Sequence, residues 1–391
     1  MKVSVDRVEP TDPARHWVPG DGFFFEHAGR TVCALGSALT LTIPGGPDQV
    51  ARAAARASEA LAALDAPSDG PAPPVVGALP FDGSAQAVLV VPAVTYLKER
   101  DRTWRITVGD PVPAEARAPA RPGFEPLRIH EVPARESYVA AVEKARARIR
   151  AGELDKVVLA RMLIAQATHP IDRRALLARL REAEPDAFVF AAQGFIGASP
   201  ELLVARRGRA VRSTPLAGTI ARAAEQARAR LFGSAKDRHE HAIVVDAVRD
   251  ALEPVCDKLS WPSEPGFVGT STVWHLATPF DGRLRDPVPH ALTLAARLHP
   301  TPAVCGTPRE PAMRAIGELE EIDRALYAGL VGWMDARGDG EWAVVLRCAE
   351  VAGRIALLFA GAGIVGDSDP HTELAETDAK FTSMLEALGR A

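Results

Sequence analysis

From Lys156 to Arg161 the chain reads Lys-Val-Val-Leu-Ala-Arg, an apolar run closed by a charge at each end. Such a run predicts a strand buried on both faces. Comparable runs predict strands at 22–25, 75–79, 87–91, 103–108, 187–192, 201–206 and 210–213. Four more are expected at 271–279, 329–334, 342–348 and 355–360. Between them, apolar positions recur with helical spacing at 48–64, 135–152, 171–183, 222–231, 236–253, 288–298, 308–318 and 373–389. Residues 111–123, rich in Pro and Ala and free of periodicity, read as a linker. Strands and helices mix without strict βαβ alternation, so the expected class is α+β with large, mostly antiparallel sheets.

Composition narrows the field. With 391 residues, 47% hydrophobic and 25% charged, the chain can bury a large core. A net charge of −4 gives no global basic field for nucleic acid or an anionic membrane. The densest basic stretch, Lys144, Arg146, Arg148 and Arg150, falls around the outer arc of a predicted helix and reads as a solvated face. Cys33, Cys256, Cys305 and Cys348 lie far apart with no metal-type spacing, which suits a reducing compartment. No apolar signal core opens the chain and no run of 18 apolar residues occurs, so a soluble, cytoplasmic protein is expected.

Several charges stand where burial is expected. Lys156 opens its apolar strand, and Glu201 directly precedes another in Gly197-Ala-Ser-Pro-Glu201-Leu-Leu-Val. Each could be a surface residue at a strand end. In a closed site, desolvation would make the lysine a base and the acid a proton donor. Glu240 shares a helix face with Val244, Ala247, Val248 and Leu252, and a carboxylate on such a stripe needs a cation. An arginine partner would make it purely structural; His239 and His241 point elsewhere on the helix, against a zinc site. Glu373, Glu376 and Lys380 flank the core stripe of the last helix, and Glu376–Lys380 has the spacing of an ordinary i,i+4 pair. Two glutamates without Cys or patterned His otherwise favour a hard ion such as Mg²⁺. Arg347, within the apolar run 344–349, could fork onto a carboxylate or balance a buried acid. Gly361-Ala-Gly363-Ile-Val-Gly366 has dinucleotide spacing, but Asp367, Asp369 and Pro370 precede the next helix and the chain ends at Ala391, so no Rossmann unit follows. Its small residues could instead let backbone N–H groups approach an anion.

Together DKVVLAR (155–161), GASPELL (197–203), STPLAGT (213–219), KDRHEH (236–241), TVWHLAT (272–278), HPTPAVCG (299–306) and LFAGAGIV (358–365) resemble, in order and spacing, the chorismate-utilising enzymes, above all isochorismate synthases of the siderophore type. GFFF (22–25) and VVGALPFD (75–82) extend the likeness into the less typical first 130 residues. The resemblance implies a single domain over 1–391: two large sheets packed together, helices outside, a deep cleft, and 111–123 as a surface connection. It implies Lys156 as the base activating water and Glu201 as the acid protonating the departing hydroxyl, so Lys156 must be neutral and Glu201 protonated. It places Mg²⁺ on Glu240 and Glu376, and Gly218, Thr219, His275, Ala303, Arg347, Gly361 and Lys380 around chorismate. Water would add at C2 as hydroxide leaves C4.

A salicylate synthase would share this machinery and go on to eliminate pyruvate. Val304 and the Trp274-His275-Leu276 segment depart from that type, which tends to carry a threonine and a Gln-His-Leu. An anthranilate or aminodeoxychorismate synthase would add ammonia, and no glutaminase motif is present. An inactive chorismate-binding protein is the remaining alternative. The expected enzyme is a monomer without a glutaminase partner, and its downstream route (2,3-dihydroxybenzoate, salicylate or menaquinone) is left open.

Overall fold

In the computed structural model, which describes residues 1–110 and 127–389, the run that opens at Lys156 becomes a strand of 12 residues, Lys156–Ala167. It pairs antiparallel with Ile355–Ile364, from Val157 opposite Ile364 to Gln166 opposite Ile355. Leu127–Val132 and the short Gly306–Thr307 take its other edge. These strands belong to a 12-stranded sheet, which faces a 9-stranded sheet across the main core. The second sheet contains Pro74–Leu79, Leu202–Arg207, Ala210–Thr214, Leu330–Asp335 and Gly340–Val344. A third, small sheet joins Leu216–Ala221, Val273–Ala277 and Gly266–Gly269. All pairings between these strands are antiparallel, which fits the α+β expectation. The linker expected at 111–123 lies outside the described residues.

Large apolar side chains close the space between the big sheets, with Phe25, Leu79, Phe190 and Trp342 fully buried. On the far face of the larger sheet, Leu176 and Leu180 of helix Arg173–Ala183 join Phe381 and Met384 of the last helix over Val189, Ile196 and Leu358. Arg161 is the exception inside this layer. Its guanidinium is fully buried but satisfied by Thr377 (2.7 Å), Glu131 (2.6 Å) and Asp378, so this charge is structural.

Two helices bring the acids to the site, and both are capped. Ser234 accepts from Asp237 N–H at the start of Ala235–Leu252, and Asp369 accepts from Thr372 N–H at the start of Pro370–Leu388. The second helix therefore begins three residues earlier than its apolar periodicity indicates, on an Asp-Pro start. Elsewhere the pattern misleads for identifiable reasons. Val3–Val8 and Leu39–Ile43 are half-exposed strands whose short alternation with polar residues gives no run. Ala221 ends a strand and Gln226 turns through a left-handed φ of 49°, so the helix expected from 222 is confined to Ala227–Gly233. The strand expected over 342–348 stops at Val344, and a new one starts at Cys348, because Arg347 takes a φ of 48°. The four cysteines are buried and unpaired. No helix among the described residues is long and apolar enough to cross a membrane.

Candidate active site

Where the small sheet meets the two large ones and the two capped helices, a cavity of about 50 Å³ is lined by side chains from distant parts of the chain. Glu201 reaches it from the turn just before Leu202–Arg207, and Ala303 from the loop after the helix ending at Leu298. Gly218, Thr219 and His275 come from neighbouring strands of the small sheet, with Thr219 directly opposite His275. Arg347 enters from the break between two strands, and Gly361 from the strand paired to the Lys156 strand. Glu376 and Lys380 project one helical turn apart, while Glu240 comes from the other helix. Ten of the eleven residues that the resemblance assigns to the site thus share one cavity. Lys156 is the eleventh. Its amine, fully buried, does not line the cavity but lies beside it, 3.0 Å from Glu240 Oε1.

Gly363 explains how that pair fits. A Cβ there would lie 2.0 Å from Glu240 Oε1 and 3.0 Å from Lys156 Cε. What the small residues of 361–366 admit is therefore the protein's own charged side chains. Val158, opposite Gly363 in the strand pairing, sends its own N–H to the Cys305 carbonyl, and Lys380 donates to the Gly361 carbonyl at 2.8 Å. The partner of Glu240 is a lysine, not the arginine that a structural pair suggested.

Charge is balanced in lysine–glutamate pairs. Lys380 bonds Glu376 Oε1 at 2.6 Å, and Lys236 lies 2.8 Å from Glu373 Oε1 and 3.9 Å from Glu240 Oε2. Burial alone would raise the Glu240 carboxyl, but Lys156, Lys236 and Lys380 outweigh it and hold it below the ordinary carboxylate range. Burial and the neighbouring Glu376 push Glu373 up to about 7 in spite of Lys236. Burial also depresses Lys236, yet Glu240, Glu373 and Glu376 more than restore it, leaving a firmly charged ammonium. Glu201 has no such pair. Desolvation pushes it up to about 8, although Lys156, the Leu216 N–H, Arg347 and Lys380 all pull the other way. It is a protonated acid at neutral pH. His241, by contrast, is drawn off by Thr278 at 2.8 Å and held neutral by burial, with its pKa down near 4.

The set of oxygens can accommodate a hard divalent ion. Glu240 and Glu376 both face the cavity, and the two buried oxygens of Glu373 have no donor in hydrogen-bond geometry. No compact group of three or more His, Cys, Asp or Glu forms among the described residues. Two carboxylates with water and substrate completing the shell suit Mg²⁺, which keeps several waters; they match zinc less well, whose protein sites are built mainly on His and Cys.

Sequence reading passed over two residues here. Lys236 stands four before Glu240 in the same helix, a spacing that could have flagged it. Tyr327, one of only three tyrosines, lines the cavity from the loop before Leu330–Asp335, and nothing local in its sequence announces it.

The profile of the family described as chorismate binding enzyme matches residues 111–389. The chain belongs to that family. Isochorismate synthase DhbC of Bacillus subtilis is 42% identical over 95% of this chain and 94% of its own. Isochorismate synthase EntC of Escherichia coli K12 is 39% identical over 84% of this chain and 85% of its own. Among solved structures, a Bacillus anthracis protein assigned as 2,3-dihydroxybenzoate-specific isochorismate synthase DhbC superposes with a TM-score of 0.84 at 38% identity, covering 96% of this chain and 98% of that one. Anthranilate synthase component I of Streptococcus pneumoniae, at 23% identity and a TM-score of 0.73, shares the fold. An isochorismate synthase and anthranilate synthase component I are thus both built on this fold, and the fold alone does not name the reaction.

Proposed function

We propose that this chain is an isochorismate synthase, an isomerase that moves the hydroxyl of chorismate from C4 to C2, and that it does so with Mg²⁺. The carrying observation is the buried Glu201 acid, about 8 in pKa, placed in the same cavity as the Glu240 and Glu376 carboxylates. Isomerisation requires one group that gives a proton to the departing C4 hydroxyl and another that takes one from the water adding at C2. Glu201 supplies the first; Lys156, an ammonium paired with Glu240 in the resting site, supplies the second once it has given up its own proton. The hydroxyl leaves as water, so one water is consumed and one released, and the proton on Lys156 returns to Glu201 before the next turnover. Each group is worth roughly 10²–10⁴-fold. Arg347 and Lys380 meet the carboxylates of the substrate, with Gly218, Thr219, Ala303 and Gly361 shaping the wall. Glu240 and Glu376 would hold Mg²⁺, which would supply positive charge beside the ring carboxylate of the substrate.

The names of DhbC relatives favour 2,3-dihydroxybenzoate and siderophore synthesis as the destination. The enzyme acts alone in the cytoplasm, without a glutaminase. Incubating the protein with chorismate and Mg²⁺ and resolving the products by chromatography tests the reading. Isochorismate is expected; salicylate with pyruvate would make it a salicylate synthase, an aminated product with ammonia would place it among the amine-adding enzymes, and no turnover would leave a binding protein.

A further inference from the structure

Arg347 is held almost entirely by one histidine. Its Nη2 donates to His275 Nε2 at 2.9 Å, its buried Nε has no partner, and no carboxylate pairs with it among the described residues. A guanidinium has donors only, so Nε2 must offer its lone pair. His275 is neutral, since burial, Arg347 and Lys380 depress it well below its ordinary value. A neutral ring that accepts at Nε2 carries its proton on Nδ1. Nδ1 lies 3.0 Å from Thr219 Oγ1, and its N–H therefore donates to that oxygen. The hydroxyl hydrogen of Thr219 cannot then point at the ring and is free to turn into the cavity that Thr219 lines.

We infer that His275 is a positioning residue that orients Arg347 and Thr219 so that both present hydrogen-bond donors to one carboxylate of the substrate. The inference rests on the reading of this cavity as the chorismate site and adds to it a fixed polarity. The backbone supports the arrangement. Thr219 and His275 face each other across the small sheet, and the pairing shifts between Ala217 and Thr219, where Gly218 takes a φ of 72°. A side chain at Gly218 would also crowd Asp237, with its Cβ 3.0 Å from the Asp237 Cβ. The irregularity re-aims Thr219 toward the ring and the cavity. On this geometry His275 transfers no proton: one nitrogen is occupied by a permanent cation and the other by a hydroxyl.

Steady-state kinetics on chorismate with Mg²⁺ test it through His275→Leu, His275→Gln and Thr219→Val. In His275→Gln the amide oxygen can still accept from Arg347 and the amide nitrogen can still donate to Thr219, so its KM is expected to stay within about 3-fold of wild type. His275→Leu leaves the guanidinium unanchored and is expected to raise KM at least ~10-fold, the scale of one charged hydrogen bond, with kcat little changed. Thr219→Val, which removes only the hydroxyl, should move KM the same way and provides the reading if the leucine variant folds poorly. The pH profile of kcat should be the same in all. An unchanged KM in the leucine and valine variants overturns the inference, as does a His275→Gln that loses kcat by orders of magnitude together with one limb of the profile, which would make the histidine a proton-transfer group. A wild-type enzyme that neither binds nor converts chorismate overturns the site reading, and this inference with it.

Discussion

Arg347 is in a backbone state that its side chain disfavours, and its guanidinium is buried with one nitrogen unpaired. Left-handed φ in a non-glycine residue costs on the order of 1 kcal/mol or more. Arg347→Gly is therefore expected to melt no lower than wild type, and to gain on the order of 1 kcal/mol, while KM for chorismate rises; a clear loss of stability in a thermal melt would contradict this. Glu201 gives a prediction with a sign. Its folded pKa near 8 stands above the ordinary value of 4.5, so the folded state binds the extra proton between those limits. Stability from this group is full below about 4.5 and is lost as pH rises toward 8. Glu201→Gln, which mimics the protonated acid, should thus be more stable than wild type by a few kcal/mol at pH 9, at about 1.4 kcal/mol per pKa unit, and the gap should close as pH falls to 5. Parallel pH-dependent urea titrations of the two proteins would show it. In the wild type, kcat should fall as pH rises through 8, where the acid is spent. Lys156→Ala should lose turnover and also unfold more easily, by about 3 kcal/mol, because it strips Glu240 of its nearest cation in a buried setting.

At the level of elements, the site depends on a strand with no side chains where two charges need the room. Gly363→Ala is expected to keep the strand pairing, as far-ultraviolet circular dichroism would show, while turnover falls and the Mg²⁺ titration shifts to higher concentration, because the new methyl displaces the Glu240 carboxylate. An unchanged titration would remove Glu240 from the metal. The elements most legible in the sequence were those with a single dominant signal. Lys156–Ala167 announced itself by an unbroken apolar run, and Ala235–Leu252 by its periodic stripe and the lone carboxylate upon it. Lys156, Glu201 and Arg347 stood out because each is a charge set against an apolar run. What stayed hidden needed tertiary context. Half-exposed edge strands such as Val3–Val8 give only weak alternation, and the break at Arg347 is imposed by the site rather than by any turn residue. The contact of Lys236 with Glu373 joins two helices far apart in sequence, which no local pattern can reveal.

Across the whole molecule, two large sheets bring an acid, a buried amine and two helix-borne glutamates around one small space. Each of the glutamates Glu240, Glu373 and Glu376 has a lysine beside it, so the interior is electrically balanced before any ion arrives. Mg²⁺ bound only by the folded state should still raise the melting temperature, by the equivalent of about 2.7 kcal/mol at 100 times its Kd, and chelation should reverse this. The volume of the cavity has a further consequence. About 50 Å³ is far below the roughly 300–1,000 Å³ usual for small-molecule sites. A ring acid bearing two carboxylates can be admitted only if groups lining the cavity move outward. Each round of catalysis then contains a breathing step, and raising solvent viscosity should slow turnover even though the chemistry itself is untouched.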